Sequence, residues 1–200
     1  MKKFTFLLIG SFLLSNLSYG QAVDDRAVIP VAVTLSSILR LNVVSGGNVE
    51  FTFNTLADYQ NGIENSPSYD TKFTVASSVH WDVVMYSEEA DLVSTDEVGG
   101  STMPLDNIGY SVSSEGWPDL ADLNFESNDI TAPAALTAGE VVIVGYDATP
   151  NAGDITGNDF TIHWQCGTQI GDMNGSSILN QQLAADRYAT NVFLILRPAE

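Results

Sequence analysis

The chain has 200 residues, of which 25 are acidic and 7 basic, and its formal charge at neutral pH is −18. Hydrophobic residues make up 44% of the sequence. A chain with this content can bury enough apolar surface to fold, so the protein is not a disordered acidic tail. So large a negative charge repels phosphate backbones and anionic lipid surfaces, which are bound through clustered Lys and Arg. We therefore exclude nucleic-acid binding and expect one folded, acidic domain.

Residues 1–20 have the three-part pattern of a secretory signal peptide, with a pair of lysines, a short apolar run and a small, polar end. Small residues favour cleavage after Gly20 or after Ala22. The run is shorter than the about 20 apolar residues that span a bilayer, and no later segment is apolar enough to do so. We expect an exported bacterial protein that is periplasmic, at the cell surface or extracellular. It would have no stable membrane insertion and a single domain over residues 21–200.

From Arg26 onward the dominant hydrophobic period is two, which predicts strands. The first predicted strand has Pro30 on it, which indicates an edge strand or a strand start, because proline cannot donate to a ladder. One face of this strand is formed by Ala27, Ile29, Val31, Val33 and Leu35. Further strands are predicted over residues 38–44, 49–54, 72–77, 79–86, 108–113, 140–146, 159–166 and 188–196. The pair Gly46-Gly47 predicts a hairpin between the first two of these.

Helical periodicity is weak, and the best candidate is a turn or two within residues 176–185, with Ser176 or Ser177 as the N-cap. Residues 87–101 are interpreted as a long loop or flap. About nine short strands and at most one short helix predict an all-β fold, namely an antiparallel β-sandwich of the immunoglobulin-like kind. A closed barrel is the alternative architecture.

Cys166 is the only cysteine, so no disulfide can form within the chain. It alternates onto the apolar face of its predicted strand, while His163 falls on the other face. We expect a buried structural thiol, with a reactive or intermolecular thiol as the alternative. His80 and Asp82 share a strand face and could orient an imidazole, but no serine lies in a nucleophile-elbow pattern to receive it. We interpret this pair as part of a solvated sheet face.

Two features could bind a ligand. The first is the loop before residues 159–166, where Asp147, Asp154 and Asp159 are candidate calcium ligands, since calcium takes six to eight oxygen atoms. This loop does not match the spacing of known calcium loops, and a turn without metal is the favoured interpretation. The second is Trp117, which could be an exposed platform for a sugar ring, although packing in a loop or core is the favoured interpretation.

The two ends of the predicted mature chain resemble secreted bacterial pilin-like sandwiches, the family of fimbrial subunits and spore-coat-U-like proteins. The resemblance is carried by the alternating residues 27–35 and by a C-terminal strand with Tyr188, Val192, Leu194 and Leu196. It implies that an exposed alternating segment can complete the sheet of a neighbouring copy through main-chain hydrogen bonds. The chain departs from the family pattern in lacking a cysteine pair and in continuing past the last strand. The alternative is that residues 27–35 form the domain's own first strand.

We therefore expect an exported structural or adhesive surface subunit that acts by assembly or binding and is not an enzyme. Its partners would be copies of itself or another surface component, and apart from calcium no cofactor is expected. A carbohydrate-binding module that uses Trp117 and acidic loops is the second hypothesis. A glycan hydrolase built on paired carboxylates is the third.

Overall fold

The computed structural model describes residues 26–96, 100–117 and 123–199. The predicted signal peptide therefore lies outside the described residues. The chain divides into two compact units, Met1–Leu35 and Ser36–Glu200. In the described part of the first unit, residues 26–35 have no assigned secondary structure and are exposed. The prediction that residues 27–35 form a strand paired within the chain is wrong.

The described part of the second unit is built of short strands that pair antiparallel. They are β1 (Leu39–Ser45), β2 (Asp70–Ser77), β3 (Trp81–Ser87), β4 (Asp91–Ser94), β5 (Thr102–Pro104), β6 (Ile108–Ser114), β7 (Leu123–Phe125), β8 (Ala134–Ala135), β9 (Val141–Tyr146), β10 (Asp159–Cys166), β11 (Tyr188–Ala189) and β12 (Val192–Pro198). Two short helices accompany them, α1 (Leu56–Asn61) and α2 (Ile178–Gln181).

The strands form three sheets, with the orders β1-β2-β10-β6-β8, β12-β3-β9-β7 and β11-β4-β5. The core lies between the first two, because each turns its apolar face inward. Phe160 of β10 packs edge-to-face against Trp81 of β3 with ring centroids 5.7 Å apart, and it also contacts Phe125 of β7. Burial along β2 alternates residue by residue, as the period of two requires. The prediction of an all-β, antiparallel sandwich is confirmed.

Several predicted boundaries need correction. Residues 49–54 alternate in exposure but form no ladder; Val49, Phe51 and Phe53 pack against the core from an irregular segment. Helix α1 follows this segment and was not predicted, so the domain has two short helices where at most one was expected. Its N-cap is Thr55, whose side chain accepts from the Asp58 N–H while the Asp58 carboxylate accepts from the Thr55 N–H. The flap predicted over residues 87–101 contains β4.

Gly46 ends β1 in a turn, but not in the predicted hairpin, because β1 pairs with β2 instead of with residues 49–54. Its φ of +71° lies in the left-handed region, and a Cβ there would collide with the backbone of Asp70. Its carbonyl accepts a hydrogen bond from the Thr71 hydroxyl at 2.6 Å. The turn is thus fixed against the start of β2.

Across the described ranges, no helix combines the length and the apolar character that crossing a membrane requires.

Candidate functional site

Two strands lie at the edges of the two large sheets, β1 in the first and β12 in the second. Among the described residues, neither has a second strand partner on its outer side. Their apolar side chains are partly exposed, for example Val43 at 44% and Phe193 at 40%. Edge strands present unpaired N–H and C=O groups, which can pair with another chain.

A groove of about 570 Å³ lies between these two edges. Its walls include Leu41 and Val43 of β1 and Leu194 of β12. Its floor is formed by core residues of the sandwich, among them Ile162 and Trp164. The rest of it is lined by the irregular residues 46–51 and Phe53, together with Thr71, Leu92, Met103, Ile108, Leu136, Cys166 and residues 186–193. The groove therefore gives access to apolar surface between the two sheets.

The first unit supplies a different feature, residues 27–35, which we call the arm. The predicted face of this segment is exposed, with Ile29 at 81%, Val31 at 85% and Leu35 at 91%, and Val33 is similar. The arm carries no charged residue, although the chain as a whole is strongly acidic. Contiguous exposed apolar surface of this kind marks interaction sites in soluble proteins.

Trp117, the candidate sugar platform, is half-buried and packs against the core. Its indole N–H donates to the Asn158 side-chain oxygen at 3.1 Å. Both contacts hold the ring in the fold. The favoured interpretation, packing of the loop, agrees with these contacts.

Hydrogen bonds of Asn151 and Asn158 hold the candidate calcium loop in place. The Asn151 side chain accepts from the Trp81 backbone N–H at 3.1 Å and donates to the Trp81 carbonyl at 2.7 Å. The Asn158 amide donates to the Asn151 carbonyl at 3.2 Å. Of the three candidate ligands, Asp147 and Asp154 are exposed and Asp159 is half-buried. Among the residues that the structure describes, these carboxylates belong to no group of three or more that could hold a metal ion.

The side chains of His80 and Asp82 both contact Tyr146 instead of forming the imidazole–carboxylate pair that the sequence allowed. The His80 ring stacks on Tyr146 with centroids 4.4 Å apart. The Asp82 carboxylate accepts from the Tyr146 backbone N–H at 3.1 Å. Both side chains thus contact Tyr146 at the end of β9.

Cys166 is buried, and its burial raises the pKa of the thiol to about 12. His163 lies on the opposite face of β10 and is half-buried, as the alternation predicted. The prediction of a buried thiol is confirmed.

Sequence reasoning identified the arm and the C-terminal strand but missed the groove. No local sequence pattern marks the groove, because the edge strands that flank it are defined only by the strand order. No family model matches the sequence, and a search of curated proteins gives no match.

Proposed function

We propose that this protein is an exported structural subunit of the bacterial cell surface whose copies assemble by strand addition. In this assembly the arm of one copy lies in the groove of the next. The observation that carries the proposal is that an exposed apolar arm and a groove with apolar core side chains at its floor, between two edge strands, occur in the same chain. Main-chain hydrogen bonds to β1 or β12 would give affinity, and alternate side chains of the arm would fill the groove.

The dimensions of the arm and the groove agree. Nine extended residues, 27–35, span about 30 Å at about 3.3 Å per residue. Strands β1 and β12 have 7 residues each, which corresponds to about 23 Å. The arm can therefore run the full length of either edge.

The distribution of charge along the chain also favours the arm as the segment that binds in the groove. Two copies of a chain with a charge of −18 repel each other, so any contact between them must avoid adding acidic groups. From Ala27 to Leu39 the sequence has no charged residue, and Arg26 immediately before it is basic. The arm is thus the part of the chain that a second copy can accept at the least electrostatic cost.

Because the arm and the groove are different surfaces, the contact is heterologous: a copy that receives an arm still has its own arm free. Such contacts build open chains unless the rotation between successive copies closes them into a ring. The expected product is a linear polymer.

The test compares two double variants of the mature protein with equal added charge, Val31→Asp with Val33→Asp and Ala32→Asp with Thr34→Asp. The first pair lies on the predicted groove-facing side and should abolish assembly, as measured by size exclusion with light scattering and by electron microscopy. The second pair faces away and should retain it. A mature protein that stays monomeric at all concentrations, or that assembles equally in both variants, would refute the proposal.

A further inference from the structure

Three polar side chains meet on the outer face of the first sheet, away from the groove. His163 lies in the middle of β10, Asp70 begins β2 and Ser113 lies near the end of β6. The His163 Nδ1 atom is 2.8 Å from the Asp70 carboxylate, and its Nε2 atom is 2.8 Å from the Ser113 hydroxyl. The sequence suggested no such group, because Asp70 and His163 are 93 positions apart and Ser113 and His163 are 50 positions apart.

The hydrogen-bond roles in this group follow from its chemistry. As a carboxylate, Asp70 can only accept, so the neutral imidazole carries its proton on Nδ1. Its Nε2 atom then has a free lone pair, and the Ser113 hydroxyl must be the donor to it. This is the arrangement in which an imidazole serves as the general base for a serine hydroxyl.

The strands hold the three groups in place. β2, β10 and β6 are neighbours inside one sheet, and His163 is directly opposite Asp70 in the register. The Asn65 amide donates to the Asp70 carboxylate at 3.0 Å and to the Trp164 carbonyl at 3.2 Å, which fixes the carboxylate. Groups positioned on strands are held more tightly than groups on loops.

The three side chains are partly shielded from solvent. The side chains of His163 and Asp70 are 22% and 16% exposed, and Ser113 is half-buried. Partial burial strengthens the hydrogen bonds of the group, because the local dielectric constant is lower than that of water.

We propose that Ser113 is an activated nucleophile that accepts an acyl group from carboxylic esters. In the step, the Ser113 oxygen forms a bond to the carbonyl carbon, and the bond from that carbon to the leaving alcohol oxygen breaks. His163 Nε2 takes the hydroxyl proton and passes it to the leaving oxygen. Asp70 and Asn65 are positioning residues. Water can then attack the acyl-serine and release the acid.

This activity goes beyond assembly and does not depend on it. The proposal is that the Ser113 hydroxyl is activated as a nucleophile. Rapid turnover would also need hydrogen-bond donors for the developing oxyanion. The informative readout is therefore covalent labelling of Ser113 instead of turnover.

The experiment treats the mature protein with an alkyl fluorophosphonate and maps the adduct by mass spectrometry. The Ser113 oxygen bonds to phosphorus, fluoride leaves and His163 takes the proton. We expect one adduct at Ser113 and none in Ser113→Ala. Labelling of the folded variants His163→Gln and Asp70→Asn should be slower by about 100-fold, the size of a general-base contribution.

Ser114→Ala is the matched control, because the hydroxyl of Ser114 donates to the Asp159 carbonyl and not to His163. It should be labelled at the rate of the unchanged protein. A second measurement leaves Ser113, His163 and Asp70 unchanged: the ¹⁵N chemical shifts of His163, assigned with His80→Gln, should show the tautomer with its proton on Nδ1. Absence of a Ser113 adduct, equal labelling of folded His163→Gln, or the opposite tautomer would each overturn the proposal.

Discussion

At the scale of single residues, Cys166 shows how surroundings decide reactivity. Its sulfur lies among core side chains, and desolvation of the thiolate raises the pKa of the thiol to about 12. The thiolate is the species that attacks thiol reagents, and a raised pKa keeps the group protonated at every pH below that value. Burial thus removes both access and nucleophilicity.

We therefore expect native protein at pH 8 to react with a disulfide reagent such as dithionitrobenzoate far more slowly than the same protein in guanidinium. The absorbance of the released thiol product measures both rates. Rapid reaction of one thiol per chain under native conditions would contradict the burial of Cys166.

Asn151 is the second residue whose role depends on its neighbours. It is 1% exposed, and its side chain satisfies the backbone N–H and C=O of Trp81 at the start of β3. Its own carbonyl accepts from the Trp81 indole at 2.7 Å. A residue of the candidate calcium loop thus holds the largest fully buried side chain of the core.

Replacement Asn151→Ala should lower the free energy of unfolding by about 2–4 kcal/mol, because it leaves two backbone groups of a buried residue without this partner. Urea denaturation measures the change. Asp154→Ala is the control, since the Asp154 carboxylate accepts a local hydrogen bond from the Thr156 N–H at an exposed position. Equal effects of the two substitutions would contradict the role given to Asn151.

At the scale of elements, the turn at Gly46 fixes the end of β1 and with it one wall of the groove. The next residue, Gly47, has room for a side chain, because an added Cβ would lie 4.0 Å from a Val43 methyl group, an ordinary van der Waals distance. The adjacent glycines therefore offer a matched pair.

Gly46→Ala should lower the free energy of unfolding by about 2 kcal/mol or more, because alanine is strained at positive φ and its Cβ meets the Asp70 backbone. Gly47→Ala should change it by no more than about 0.5 kcal/mol. Thermal and urea unfolding of both variants test this. A destabilising Gly47→Ala with a neutral Gly46→Ala would contradict the requirement for glycine at position 46.

Two segments with an alternating hydrophobic pattern do not form the strands that the pattern predicts. Residues 49–54 and the arm both alternate, yet neither is in a ladder among the described residues. Alternation shows only that one face of a segment is apolar, and a ladder additionally needs a partner strand in register. For residues 49–54 the apolar side chains pack on the core without such a partner, as in the contact of Phe51 with Tyr69 at 4.4 Å.

At the scale of the whole molecule, charge controls how copies approach each other. Removal of Lys2 and Lys3 with the predicted signal peptide would leave 5 basic residues (7 − 2) against 25 acidic ones, a charge of −20. Repulsion between such chains is screened over about 30 Å at 0.01 M salt and about 8 Å at 0.15 M.

Assembly of the mature protein should therefore be faster at 0.15 M than at 0.01 M sodium chloride, because screening lets like-charged copies meet. Light scattering over time measures the rate. The double variant Val31→Asp with Val33→Asp should give no signal at either salt concentration. Assembly that slows with salt would show that attraction between charges, and not the apolar arm, drives it.

The sequence by itself determined the all-β class, the apolar face of β10 and the burial of Cys166. These follow from the alternation of apolar residues, which is a local property and is enforced by the hydrophobic effect. The same local reading identified the arm as an apolar segment, but it could not tell a paired strand from an exposed one.

Only the tertiary structure decided which strands are neighbours. Strand order made β1 and β12 the edges that flank the groove, and register across β2, β10 and β6 brought Asp70, His163 and Ser113 together. Pairing between distant segments is set by the packing of the complete core, which no local pattern contains. The class of the fold was therefore readable from the chain, whereas both candidate sites depend on long-range contacts.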